Sequence, residues 1–200
     1  MNSMKIFCVN IFLLIPFSFL IFSCTTKYKQ PIHDIELPQI DYRLNMPIEL
    51  IITKDFRNAE WQMHRMGSTT EEKLGENLVY NSEKMMNNIF TNVTYSYRPN
   101  NNLFDDTDRY LMIPKLVYFG HATGVSLFKE TKTSITVRWE IVKKTGEYVW
   151  AETITGTYVG KHKQTSIENN FQQFYKEALL DLFQKSQEEI LASNLLRNLQ

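Results

Sequence analysis

The chain has 200 residues with 22 basic and 22 acidic side chains, so it carries no formal net charge at neutral pH. That balance argues against a nucleic-acid binder, which shows a basic stripe, and against electrostatic adhesion to anionic lipid. Two cysteines exclude a disulfide scaffold. The length suits one domain that buries its own core.

The N-terminus is the most distinctive segment. Lys5 precedes an apolar stretch from Ile6 to Phe22, in which Asn10 and Ser18 are polar and Pro16 is a helix breaker. Ser23-Cys24 and then polar Thr25-Thr26-Lys27 follow. A basic start, an apolar run and a small residue before the break are the marks of a secretory signal. With Cys24 at the break, the segment resembles bacterial lipoprotein signal peptides. Ile21 and Ser23 fit that pattern, while Phe22 is bulkier than its usual residue.

The resemblance implies that the Cys24 thiol takes diacylglycerol, that the chain is cut after Ser23, and that the new amino group is acylated with a palmitate-like chain. Two or three acyl chains, at about 0.8 kcal/mol per buried CH₂, give stable anchoring. Thr25 stands where the enteric sorting rule would place an inner-membrane aspartate, which implies the outer membrane. Two other readings of the segment stay open. One is an uncleaved anchor, since a run of about 17 residues is at the lower limit for a span. The other is an ordinary signal with a free Cys24, although an A-x-A-like site is absent. In the lipoprotein reading Cys8 leaves with the signal, so the mature chain has no thiol, disulfide or cysteine metal site.

Residues 24–45 read as the lipidated cysteine and a polar tether with Pro31 and Pro38. Fully extended, it would reach about 60–70 Å at roughly 3.3–3.6 Å per residue. Ile35, Leu37, Ile40 and Tyr42 recur at short intervals, as in a segment that touches the domain. The domain is placed at 46–200, after a signal peptide at 1–23.

Pro47 to Thr53 is apolar on nearly every residue, which predicts a central strand buried on both faces. Residues 58–66 form a further strand with Trp61 and Met63 on one face. Ser68 and Glu71 fit a capping box, predicting a helix from there to about Phe90 whose stripe is Leu74, Leu78, Met85 and Ile89, with Ser82 in its gap. Asn92 to Tyr97 alternates as a strand. Arg98 to Asp108 has turn chemistry. Residues 109–119 form a dense apolar strand in which Pro114 implies an edge or a bulge.

Residues 133–142 alternate most cleanly, with Ile135, Val137, Trp139 and Ile141 on one side. Gly146 sits in a turn, and Tyr148 to Tyr158 return to complete a hairpin. Thr165 or Ser166 caps a last helix bearing Phe171, Phe174, Tyr175, Ala178, Leu179, Leu182 and Phe183 on one broad stripe, reaching about Ala192. Leu195, Leu196 and Leu199 extend it as a frayed end or amphipathic tail.

Strand, helix, strand, strand, hairpin, helix gives an α+β domain: one mainly antiparallel sheet with two helices on one face. That order resembles small envelope lipoproteins such as the lipopolysaccharide-assembly lipoprotein, the YajG-type lipoproteins and the N-terminal domain of TolB. The Glu140 to Gly156 stretch resembles the central hairpin common in such domains. The resemblance is one of layout, and no functional residue follows from it.

Chemistry is sparse. His33, His64, His121 and His162 lie in separate segments and none pairs at i+4, so no helical metal site is spelled out. Asp105, Asp106 and Asp108 lack the glycine and the glutamate of a calcium loop. No G-x-S-x-G elbow and no phosphate loop occurs. Tyr95, Tyr97, Tyr110, Tyr118 and Phe119 read as core, and Trp139 with Trp150 as cross-strand packing.

The reading is therefore a non-enzymatic envelope lipoprotein. It has no cofactor, no catalytic or metal residue and no nucleic-acid partner, and it is held to the membrane through lipid on Cys24. Its partner would be another envelope protein, in outer-membrane assembly or transport, met at a sheet edge near Pro114 or Trp61. The alternative is a lipoprotein that holds a small apolar ligand or lipid in a cavity lined by Met85, Met86, Phe171 and Tyr175. A periplasmic hydrolase would require paired carboxylates with shifted pKa values.

Overall fold

The computed structural model describes residues 24–28, 32–65, 68–98, 109–122, 130–161 and 167–199. The signal segment, Asp105, Asp106, Asp108, His162 and the predicted caps Thr165 and Ser166 lie outside them.

The main sheet has five strands in the order β5-β2-β6-β7-β8. They are β2 (Leu44–Thr53), β5 (Phe90–Arg98), β6 (Tyr110–Ala122), β7 (Glu130–Lys143) and β8 (Tyr148–Lys161). The fold is α+β, as the sequence implies. The long β6–β7 and β7–β8 ladders are antiparallel, so the sheet is mainly antiparallel, while β2 runs parallel to both β5 and β6. A smaller sheet in the order β1-β4-β3 joins β1 (Cys24–Tyr28), β3 (Glu60–Arg65) and β4 (Ser68–Lys73).

Helices α2 (Gly75–Ile89) and α3 (Ile167–Ala192) cover one face. The apolar stripes meet there: Leu78, Met85 and Ile89 of α2 and Phe171, Tyr175, Leu179 and Phe183 of α3 are at most 3 % exposed. Opposite them lie Ile48, Leu50 and Ile52 of β2 and Ile135, Val137, Trp139 and Ile141 of β7. Ile51 points the other way and joins Leu111, Ile113 and Val142 in a second small cluster. That explains why β2 is apolar at successive positions. Ser82, in the gap of the α2 stripe, is buried and donates to the Leu78 carbonyl at 2.6 Å.

Two glycines permit close approach. A Cβ on Gly156 would lie 2.3 Å from the Ala178 carbonyl oxygen, so α3 seats on β8 only because that position is bare. A Cβ on Gly75 would lie 1.9 Å from the Arg57 carbonyl oxygen.

The structure corrects three expectations. Ser68 and Glu71 do not cap a helix; they belong to β4, which pairs along β3. Helix α2 starts later, where the N–H groups of Leu74 and Gly75 both donate to the Ala59 carbonyl. A Thr- and Glu-bearing stretch that imitates a cap is claimed by strand pairing instead. Trp139 packs on Phe183 and donates to Ser186 Oγ at 2.9 Å, while Trp150 lies opposite Ile141. Tyr95, Tyr97 and Tyr118 are exposed rather than core. The first two tie β5 to α2, with Tyr95 donating to Asn87 Oδ1 at 2.5 Å and Tyr97 donating to Glu83.

Part of the expected tether touches the domain, as the recurrence of Ile35, Leu37 and Ile40 implies. Residues 32–43 form an extended strap along α2. Asn77 Oδ1 accepts from the His33 N–H at 2.6 Å, and Asn81 Nδ2 donates to the His33 carbonyl at 2.9 Å. Lys84 Nζ reaches the Ile35 carbonyl at 2.7 Å, and Asn88 Nδ2 the Pro38 carbonyl at 2.9 Å. Ile35 is 1 % exposed. The strap's backbone thus takes its hydrogen bonds from helix side chains, as buried backbone must from some source. The C-terminal leucines are likewise ordered: Ser193 caps α4 (Asn194–Arg197), whose Leu196 is buried.

Candidate functional site

The site begins where β2 stops. Thr53 leaves the sheet to cap α1 (Lys54–Arg57), its Oγ1 accepting from the Phe56 N–H at 3.3 Å. Strand β6 pairs with β2 only at Tyr110, Leu111 and Met112, yet it continues to Ala122. Among the described residues, β6 is therefore an edge from Ile113 onward. Pro114 sits just past the last pairing, where a missing N–H costs least. A bulge follows between Leu116 and Tyr118, so both halves of the expectation for Pro114 are met.

Beside this edge opens a groove of about 710 Å³ lined by Phe56, Glu60, Ile113, Lys115, Leu116 and Tyr148, among others. Glu140 also lines it and is only 4 % exposed. Lys115 Nζ donates to one Glu140 carboxylate oxygen at 2.7 Å and Arg138 Nε to the other at 2.8 Å. Burial raises the Glu140 pKa, but these two cations outweigh it and hold the carboxyl below its ordinary value. A carboxylate fixed in its charged form by two donors is built for recognition or orientation rather than for taking protons. Val117 and Tyr118, each more than half exposed, continue the edge beyond the groove.

A second groove of about 560 Å³ lies on the other side of α1. Arg57 stands 5.7 Å over the Tyr97 ring there, and Ile32, Tyr80 and Glu83 complete the lining.

The residues singled out by sequence are dispersed. Cys24 pairs with Ser68 at the start of β1. His121 is half-buried, its Nδ1 2.8 Å from Thr133 Oγ1, with its ring against Trp61 and Phe171. His33 Nε2 is buried with no hydrogen-bond partner among the described residues. Burial, and then Lys176, lower the His33 pKa. His64 lies in β3. Among the described residues no three potential metal ligands gather. Met85, Met86, Phe171 and Tyr175 do come together, but inside the closed core at no more than 3 % exposure. Sequence reading missed the Lys115–Glu140–Arg138 clamp. Its only trace was an acid flanked by cations on the polar side of an alternating strand.

No family model matches the sequence, and no curated protein matches it either. Solved structures do match. A Xanthomonas campestris protein assigned to DUF330 aligns with TM-score 0.51 at 6 % identity, covering 84 % of this chain and 95 % of that one. A minor lipoprotein of Acinetobacter baumannii aligns with TM-score 0.44 at 13 % identity, covering 80 % and 95 %. Uncharacterized lipoprotein B of Nitrosomonas europaea aligns with TM-score 0.40 at 11 % identity, covering 82 % and 88 %. At these identities the likeness concerns the fold alone, and it rests on the first of the three. Among the described residues no helix is long and apolar enough to cross a membrane.

Proposed function

We propose that the chain is a bacterial envelope lipoprotein, held in the outer membrane by lipid on Cys24. In this reading its domain catalyses nothing and binds an extended segment of another envelope protein. The observation that carries the binding half is the edge of β6 past Met112, open beside an apolar groove with a fixed Lys115–Glu140–Arg138 clamp. A strand added there takes affinity from main-chain hydrogen bonds and specificity from the flanking pockets. The clamp supplies two cations and an anion for register. The lipid half is supported by the signal and cysteine pattern at residues 1–24. Among the described residues, Met85, Met86, Phe171 and Tyr175, named for the small-ligand alternative, are part of the buried core.

Two measurements test the reading. Intact mass of the membrane-extracted protein is expected to match residues 24–200 plus acyl chains. An unmodified mass that retains residues 1–23 overturns the lipid half. A photo-crosslinker at Val117 or Tyr118 is expected to trap an envelope protein that the same group at Glu188, exposed on α3, does not trap. Equal trapping at all three positions, or none, overturns the edge as the binding site.

A further inference from the structure

We infer that β5 pairs with the β5 of a second copy of this chain, antiparallel and about a two-fold axis at Tyr95, so that two main sheets join into one. This concerns a different edge from the one proposed for the envelope partner, and it stands or falls apart from that reading.

Strand β5 is the outermost strand of the main sheet on the β2 side, and among the described residues it pairs with β2 alone. That pairing runs without a register shift from Asn92 to Arg98. The outer row of β5 N–H and C=O groups is therefore a template for a further strand. From Phe90 to Tyr97 the strand has no charged residue, no proline and no glycine, the residue types that blunt such an edge. Strand β8, at the far side of the sheet, differs: Asp181 and Lys185 of α3 take up its Thr157 N–H and Thr155 carbonyl.

Tyrosines gather beside the β5 edge. Tyr95 and Tyr97 are 38 % and 54 % exposed, and Tyr80 of α2, 38 % exposed, lines the same groove as Tyr97. Tyr95 donates to Asn87 and Tyr97 donates to Glu83, so both rings are held in place before a partner arrives. Tyrosine supplies contact area at low entropic cost and is enriched in interfaces. Taking about 200 Å² per ring, roughly 260 Å² of tyrosine surface on each copy is left to cover.

The lack of charge points to a second copy as the occupant. About a two-fold axis the same patch meets itself, so any charge near the axis would face its own kind, at a cost. From Phe90 to Tyr97 there is none. With the axis at Tyr95, Tyr95 faces Tyr95, Val93 faces Tyr97 and Thr94 faces Ser96. These are aromatic–aromatic, aromatic–β-branched and hydroxyl pairs, all of which stabilise antiparallel ladders.

Arg109 selects that axis over its neighbour. Its Nη1 donates to Thr94 Oγ1 at 3.0 Å. An axis at Thr94 would set the two Thr94 side chains together, and two guanidiniums with them. An axis at Tyr95 moves the two Thr94 residues apart by two positions, about 7 Å along the strands at roughly 3.3 Å per residue.

The first test is made on the full chain in its own membranes. Under oxidation, Tyr95→Cys is expected to give a disulfide-linked dimer on a non-reducing gel, above any dimer that the parent forms through Cys8 or Cys24. Thr94→Cys is expected to give none, because its two α-carbons lie beyond the about 7 Å that a disulfide spans. No added dimer from Tyr95→Cys, or as much from Thr94→Cys, overturns the pairing.

The second test needs no cysteine. In detergent, the membrane-extracted parent is expected to sediment at twice the chain mass. Ser96→Lys sets a cation against Thr94 and Arg109 of the second copy, and is expected to weaken the dimer by about tenfold or more. Ser96→Asp, which offers Arg109 a carboxylate at the same place, is expected to weaken it far less. A monomeric parent, or equal loss from the two variants, overturns the inference.

Discussion

Strand β8 closes the main sheet on one side, and strand β6 becomes an edge on the other once β2 departs. At β8 the outward Thr157 N–H donates to Asp181 Oδ2 at 2.8 Å, and the outward Thr155 carbonyl accepts from Lys185 Nζ at 3.4 Å. Asp181 and Lys185 are themselves paired at 2.6 Å across one turn of α3. One helix therefore offers β8 an acceptor and a donor where a neighbouring strand would, which is how a long edge is kept from pairing with other chains. At β6, past Met112, no described strand or side-chain clamp of that kind is present; a groove opens instead. The same sheet thus guards one edge and leaves another available, and the available one has the features of a binding surface.

The comparison depends on the covered face staying rigid. Trp139 is fully buried, packs on Phe183 and donates to Ser186. Trp139→Ala should cost about 3–5 kcal/mol, read by denaturant unfolding, and should disturb both edges together. A loss under about 1 kcal/mol would mean that α3 is not what holds β7 and β8 in place.

The guard itself is broken by Asp181→Ala with Lys185→Ala. Losing two hydrogen bonds at a partly exposed edge should cost about 0.5–1.5 kcal/mol each. More tellingly, the double variant should self-associate more than the parent in sedimentation at equal concentration. Unchanged association would show that the β8 edge is protected by something other than this pair.

Much of this was legible in the sequence and some was not, for identifiable reasons. The β7–β8 hairpin and the α3 stripe are long, strictly periodic runs, and every apolar residue named for α3 is buried. Strand β2 was legible because burial on two faces leaves few polar positions. The strap's contact with the domain was legible in the recurrence of Ile35, Leu37 and Ile40, but its hydrogen bonds were not, because Asn77, Asn81 and Asn88 look like an ordinary solvated helix face until an extended segment 44 or more residues earlier lies on them. Strand β4 was hidden because a Ser and a Glu three apart satisfy a local rule that long-range pairing overrode. The groove was hidden because it is made by the early end of β2, and strand order cannot be read from any one strand.

A smaller effect on stability separates the β6 edge from the fold. Val117 falls at the bulge, without a register partner on β7, so a proline there removes no ladder pairing. Val117→Pro should change stability by no more than about 0.5 kcal/mol while abolishing crosslinking from Tyr118. Retained crosslinking would place the partner elsewhere.

The smallest effect tests the strap along α2. The His33 ring lies 5.8 Å edge-on to Tyr175, with Lys176 as its nearest charge of consequence and Nε2 buried without a partner among the described residues. Burial first, and Lys176 second, lower its pKa from 6.5. The folded state therefore favours neutral His33, and the unfolded chain binds a proton more readily. This contribution is complete above about pH 6.5 and is lost as the pH falls toward the lowered folded value. Glu140 titrates in a different window. Its folded pKa is below the ordinary 4.5, so its clamp contributes above that value and is lost only in stronger acid. Between about pH 6.5 and 5, the strap should loosen while the groove keeps its charge. The protection factors of the His33 and Ile35 amides, taken against intrinsic exchange at each pH, should fall across that interval, and a His33→Phe variant should remove the fall. Protection factors that stay constant in the parent would mean that His33 reaches water without strap opening.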